Sequence, residues 1–299
     1  AGAAAVLMVR AAVFTDGRYT LQVRAQVDAD AFDLIGTPEG SIAGWLAEHA
    51  APGARIGYDA WLHTRDWVAA TQAALTDKGI ELVAVAGNPV DAVWAARPAM
   101  SDASLVVHDA RFAGASSAEK RQIIADALTA QALDASVMTA LDSIAWTFNL
   151  RGADVTHTPV GLAFAIVHAD ATADLFVAPD KVTADVRAHL GNGVRLHDRD
   201  GFAPALAKLE GRIAADPERA VAAVFDALDA GRAAIVPLRD PAVLAKAIKN
   251  PVEIAGTRAA HARDGAALSR FLHWLSVEAP LGTLTEISAA DRLRAFREQ

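Results

Sequence analysis

The sequence predicts an α/β fold: mixed sheets flanked by helices, built as two tandem copies of one unit and followed by helices of a third. Three observations carry that expectation. Short apolar runs bounded by Gly, Pro and Asp alternate with capped, alanine-rich stretches, the pattern that buried strands and covering helices leave. VAVAGNPVDAVWAARP at 83–98 and IVPLRDPAVLAKAIKNP at 235–251 share one plan: apolar strand, cap, proline, alanine-rich helix, then a basic residue near a second proline. Val13-Phe14 before Asp16-Gly17 is likewise matched by Leu175-Phe176-Val177 before Pro179-Asp180. Two matches in the same order, about 150–160 residues apart, mark an internal repeat.

In the first copy, strands are expected at 3–9 and around 12–14, with Asp16 and Gly17 making the following turn. A short helix follows at 21–31. Ile42, Trp45 and Leu46 have helical spacing and Ala51-Pro52-Gly53 stops that helix. Next come a strand at 55–58, a helix at 59–75 closed by Gly79, and a strand at 80–85. Asn88-Pro89 opens a helix over 90–96 as cap and first-turn proline. Residues 98–116 form a connector.

The second copy opens with Ser116 and Glu119, a capping box ahead of a helix over 118–133. Its centre is 141–177: strand-like at 143–150, a turn at Arg151–Asp154, then strands at 160–167 and 175–177. A helix at 184–190 ends at Gly191-Asn192-Gly193, and a second is expected over 201–210. Residues 220–225 are strand or helix, 234–238 a strand, and Asp240-Pro241 opens a helix over 242–249. Aligned on the repeat, the first copy starts at the strand that the second reaches only near 161. A helix and one or two strands are therefore expected to be missing from its front, and the apolar opening without Met suggests a cut edge. In the tail, Asn250-Pro251-Val252-Glu253 combines cap, proline and capping carboxylate. A helix runs to about 277 and Thr283 with Glu286 caps another; these helices carry an apolar face and have no sheet to cover.

A length of 299 residues suggests about two domains. Hydrophobic content of 53% sustains a large core, and a net charge of −8 argues against a nucleic-acid surface, which needs a basic stripe. The absence of cysteine rules out disulfides and thiolate chemistry and fits a reducing, cytoplasmic setting. No apolar run reaches the roughly 18 residues needed to span a bilayer, so no membrane partner is expected.

FTDGRYTLQ at 14–22, TALDSIAWTFNLRGADVTHTPV at 139–160, KAIKNPVEIAGTRAAHARDGAAL at 246–268 and TEISAADRLRAFR at 285–297 resemble the cytosolic three-domain Xaa-Pro aminopeptidases, the aminopeptidase P family. The resemblance implies two creatinase-like N-terminal domains, at 1–115 with its front missing and at 116–250. It also implies the first helices of a truncated pita-bread catalytic domain at 251–299. In such enzymes that last domain holds two divalent metals, usually Mn²⁺, through two Asp, one His and two Glu. A metal-activated water attacks the carbonyl of an Xaa-Pro bond, as Lewis-acid chemistry allows. The implied partners are peptides with proline in second position and a second subunit in a homodimer.

The sequence departs from the family by ending before any such ligand. Its nine histidines are scattered, with no HExxH and no carboxylate cluster at ligand spacing. This chain is therefore expected to hold neither catalytic nor metal-binding residues and to be inactive alone.

The resemblance assigns Arg18, in the TDGRY turn, to substrate binding; a guanidinium can hold a peptide carbonyl or carboxylate. The residues alone favour local pairing of Arg18 with Asp16. His157 is expected to be a hydrogen-bonded loop residue, and Arg151 and Asp154 to make turn bonds or a salt bridge. The tryptophans are expected as core or interface anchors. An alternative to an enzyme fragment is a non-catalytic creatinase-like module that binds peptides or proteins.

Overall fold

The computed structural model describes residues 2–37 and 39–299. β1 (Gly2–Val6) and β2 (Ala11–Thr15) form an antiparallel hairpin with Ala3 opposite Phe14. The Asp16 carboxylate then accepts the Arg18 amide at 3.0 Å and seeds a 3-10 turn, Gly17–Tyr19. The next helix, α1 (Thr20–Gln26), is shorter than expected. β3 (Asp33–Gly36) adds to β2 in parallel. Ser41 caps α2 (Ile42–His49), which buries Trp45 and Leu46. β4 (Arg55–Tyr58) precedes α3 (Arg65–Leu75); Thr64 caps α3, so the helix begins later than residue 59. Gly79, at φ +66°, turns the chain into β5 (Glu81–Ala84), which lies parallel to β4. Asn88 caps the short α4 (Pro89–Val93).

The stretch expected as a bare connector carries β6 (Val106–Val107) and α5 (Ala110–Ala113). Both lie on the second unit. β6 pairs with β8 (Leu150–Arg151), and Leu105 joins the second unit's core.

In chain order the second unit comprises α6 (Ser117–Thr129), β7 (Ala135–Met138), α7 (Leu141–Thr147), β8, β9 (Ala163–His168), β10 (Ala173–Val177) and α8 (Ala184–Leu190). It continues through β11 (Val194–His197), α9 (Phe202–Leu206), β12 (Glu210–Ala215), α10 (Ala222–Asp229), β13 (Arg232–Pro237) and α11 (Ala242–Ala247). Six strands form one mixed sheet in the order β11-β10-β9-β7-β12-β13. Alternate residues of β9 and β10 face two cores: Ala165, Val167 and Leu175 one, Ile166 and Phe176 the other.

Two expectations are corrected. Residues 143–150, expected as strand-like, are mostly the helix α7, whose residues from Ser143 to Thr147 are all buried. A helix buried all round shows no amphipathic period to read. The helix expected over 201–210 is confined to α9, and β12 begins at Glu210. β7 and β11 also lay outside the expected elements. β7 is buried along its whole length, so it shows no polar alternation.

The repeat is borne out strand by strand. In the second unit β9 and β10 are antiparallel, β10 and β11 parallel, and β12 and β13 parallel. In the first, β1 and β2 are antiparallel, β2 and β3 parallel, and β4 and β5 parallel. The tethers repeat too. Asp59 accepts the Trp61 amide at 2.8 Å and the Asn88 side-chain amide at 3.0 Å. Asp216 accepts the Glu218 amide at 3.1 Å and the Asp240 amide at 3.0 Å. Each carboxylate ties the end of one strand to the cap of the helix that closes its unit.

The units touch through the loop ahead of α3. Backbone amides of Ala222 and Ala223 donate to His63 and Ala60, Trp61 lies 6.0 Å from Phe164, and Arg65 stacks over Phe225 at 4.6 Å. Beyond the second unit, α12 (Pro251–Glu278) and α13 (Glu286–Arg297) pair through Arg297 and Asp264 at 2.7 Å. Along them only Ala267 is buried among the described residues. No helix among the described residues is long and apolar enough to cross a membrane.

Candidate functional site

Arg18 sits on the exposed 3-10 turn that follows β2. Its Nε and Nη2 bond the two Asp16 carboxylate oxygens at 2.9 and 2.8 Å, and its guanidinium lies 5.6 Å from the Tyr19 ring centre. The side chain is 78% exposed. The hydrogen bonds from the Arg18 side chain and amide hold the Asp16 carboxyl well below the usual carboxylate range. The pairing expected from the residues alone is thus present. It leaves the donors on Nη1 facing no protein acceptor among the described residues.

The turn after β8 is structural. Asp154 bonds Lys181 at 2.6 Å and accepts the Leu162 amide at 2.7 Å; the two charged side chains are 1% and 4% exposed. Arg151 donates to the Ala145 and Leu150 carbonyls. His157 is exposed, at φ +63°.

Two polar clusters escaped the sequence reading. Asp174, on β10, receives Arg195 Nε and Nη2, His168 and His197, each at 2.7 Å. Burial alone would raise its carboxyl; the Arg195 guanidinium and the two imidazoles outweigh that and hold it well below the usual range. These four residues come from three strands, so no local spacing reveals them. The only trace is an acid inside the apolar run ADLFV.

The second cluster centres on Lys120 of α6, which is 2% exposed. It donates to Asn149 at 2.6 Å and lies 4.7 Å from the Trp146 ring centre. Burial without a bonded counter-charge pushes its ammonium down to about 8. Asn149 in turn donates to the Ala115 carbonyl. Next to it Gly114, at φ +67°, leaves the space that the Asn250 side chain fills; a Cβ there would lie 2.3 Å from the Asn250 oxygen. Asn250 donates to the Ala113 carbonyl and caps α12, fixing where the tail leaves the second unit.

Among the described residues no three His, Asp or Glu side chains are placed to hold a metal ion. Asp174, the best-surrounded carboxylate, is already saturated by Arg195 and two imidazoles, so these donors do not fit a dinuclear centre.

Comparison with known proteins sets these features in a family. A family model described as the creatinase/prolidase N-terminal domain matches residues 96–253, and a second of the same description matches residues 1–93. A probable Xaa-Pro aminopeptidase P of Aspergillus niger is 38% identical over all of this chain and 51% of its own length. One of Coccidioides posadasii is 37% identical over the same shares. The crystal structure of X-prolyl aminopeptidase from Caenorhabditis elegans, described as a cytosolic enzyme with a di-nuclear active site, superposes with a TM-score of 0.89 at 28% identity. That superposition covers 99% of this chain and 50% of the nematode protein. The chain therefore spans about half the length of the relatives it matches, and it belongs to the creatinase/prolidase N-terminal domain family.

Proposed function

We propose that this chain is the N-terminal portion of an Xaa-Pro aminopeptidase, which removes the first residue from peptides with proline in second position, and that it is inactive alone. The observation that carries this reading is the superposition on the nematode enzyme along 99% of the chain. The proposed division is 1–115 and 116–250 as creatinase-like units and 251–299 as the opening of the catalytic domain. The parent is proposed to be a cytoplasmic homodimer with two divalent metals, manganese by preference, which supply Lewis-acid activation of water. The described residues offer no donor set for those metals, so the contribution proposed for this chain is to bind and orient peptide and to narrow access.

Arg18 is the residue proposed for that contact. Asp16 fixes the plane of the guanidinium, so the remaining donors point at a peptide oxygen at a small entropic cost. In the full-length parent, Arg18→Ala is expected to lower kcat/KM for Xaa-Pro peptides about tenfold, the worth of one charged hydrogen bond, with metal content unchanged. Steady-state kinetics beside a metal assay checks this; unaltered kinetics removes Arg18 from the site. Cleavage of an Xaa-Pro peptide by residues 1–299 alone, supplied with Mn²⁺, overturns the proposed inactivity.

A further inference from the structure

The first turn of α6 and the end of α8 border a cavity of about 370 Å³ in the second unit. Ser117 and Arg121, one turn apart on α6, both line it and are 5% and 7% exposed. The Ser117 hydroxyl and the Arg121 Nε have no hydrogen-bond partner among the described residues. Arg121 Nη1 donates only to backbone carbonyls, those of Ala171 and Gly193. Gly193 makes room for this: a Cβ there would lie 3.0 Å from both terminal nitrogens of Arg121. No carboxylate bonds Arg121 among the described residues, and burial alone pushes its guanidinium down. Lys181 and Asp174, buried in the same unit, each bond an opposite charge. A buried cation held by carbonyls alone is a charge still to be balanced.

The helix end adds donors beside it. Ser117 and Ala118 hold the first two positions of α6, whose amides have no acceptor within the helix. The capping box uses the Glu119 amide and leaves those two. They sit at the positive end of a 13-residue helix, where anions are favoured.

We propose that this cavity is a binding site for a small organic oxyanion, a carboxylate or a phosphate group, held by the first-turn amides of α6 together with Ser117 and Arg121. Its volume exceeds that of a bare ion many times over and falls within the range of small-molecule sites. Val107, Ala110 and Leu190 give it an apolar wall, so the body of the ligand is short and aliphatic. Asp109 also lines it, with its carboxylate 58% exposed and accepting the Arg111 amide at 2.8 Å. That second acid disfavours a polyphosphate and favours a singly charged head. The site uses only residues between 107 and 193 and stands apart from the peptidase reading.

The test is ¹H–¹⁵N NMR on residues 1–299, titrated with 3-methylbutanoate or with inorganic phosphate while chloride holds the ionic strength constant. Saturable shifts are expected at the Ala118 amide. Arg121→Met is expected to weaken binding about tenfold, as loss of a charged hydrogen bond does. Ser117→Pro is expected to weaken it about threefold by removing one amide donor. Proline is favoured at this first helical position, and Ser116, at φ −73° and ψ 161°, already has the backbone that precedes a proline. Ser117→Pro therefore decides the matter if Arg121→Met does not fold. Tighter binding of 3-methylbutanoate identifies an aliphatic carboxylate, tighter binding of phosphate a phosphate monoester, and either supports the site. Shifts that never saturate with either probe, or binding that Ser117→Pro leaves unchanged, overturn it.

Discussion

The two repeated units run the same plan with unequal means. The second has a central strand and a core on each face of its sheet, with Phe148, Phe176, Phe202 and Phe225 fully enclosed. The first gathers one small cluster around Phe14, Trp45 and Leu75. Hairpin, parallel neighbour and aspartate tether are shared, so none of them explains the difference; the strand between β9 and β12 does. A strand paired on both sides gives its neighbours a third layer of contacts and lets helices cover both faces. Sheet continuity and local composition act together on burial: β1 is GAAAV and exposed at four of five positions, whereas β9, AFAIVH, has larger apolar side chains and is buried at four of six.

The largest expected effect lies in the better-covered unit. Asp154→Ala leaves Lys181 without its ion-pair partner in a site where its side chain is 4% exposed, and breaking a buried pair in this way costs about 3–5 kcal/mol. Urea unfolding followed through Trp146, the sole tryptophan between residues 96 and 250, reports on this unit. Asp154→Leu with Lys181→Met is expected to restore most of the loss, because both charges go together. A single variant that unfolds like the parent would mean the pair is solvated and the unit less tightly closed than its core implies.

The repeat was legible in the sequence because it is written in caps and turns. Asn88-Pro89 and Asp240-Pro241 declare helix starts, and Asp16-Gly17 a turn, through residues whose side chains bond the adjacent backbone. What stayed hidden is what tertiary packing decides. β7 is ASVM, buried at all four positions, and α7 is buried at every residue from Ser143 to Thr147, so neither shows a period. Arg18 and its Asp16 partner were visible as near neighbours. Asp174 was not, since its partners stand 6, 21 and 23 residues away on β9 and β11. Lys120 carries no local mark of burial, because Asn149 and Trp146, which enclose it, lie far along the chain.

The shared tether offers a sharper comparison, because a matching aspartate can be replaced in both units. Asp216 is 5% exposed and holds two amides and Arg219 at 3.5 Å, so Asp216→Ala strands buried donors and is expected to cost about 2–3 kcal/mol. Asp59 is less buried and its released donors can reach water, so Asp59→Ala is expected to cost about 1 kcal/mol. Denaturation of the two variants side by side checks the ratio. Equal losses would mean that the first unit encloses its tether as fully as the second.

The smallest effect separates the charged pairs at the outer edge of each sheet. Asp33 bonds Arg10 and the Trp45 indole with both charged side chains at least 35% exposed, where water screens the pair. Asp174 is 13% exposed beneath Arg195 and two imidazoles. Its carboxyl is depressed in the folded state relative to the unfolded value of 3.8. Its contribution is therefore present above that value and is lost as pH falls through it toward the folded one. Because Arg195 is itself 55% exposed, the contribution is about 1 kcal/mol. Thermal unfolding of the parent and Asp174→Asn between pH 6 and pH 3 should show the two curves converging on the acid side. Asp33→Asn should track the parent throughout. Curves for Asp174→Asn that run parallel to the parent down to pH 3 would mean that its partners release the carboxylate on unfolding no more readily than water does, and that the enclosure of this edge adds nothing the first unit lacks.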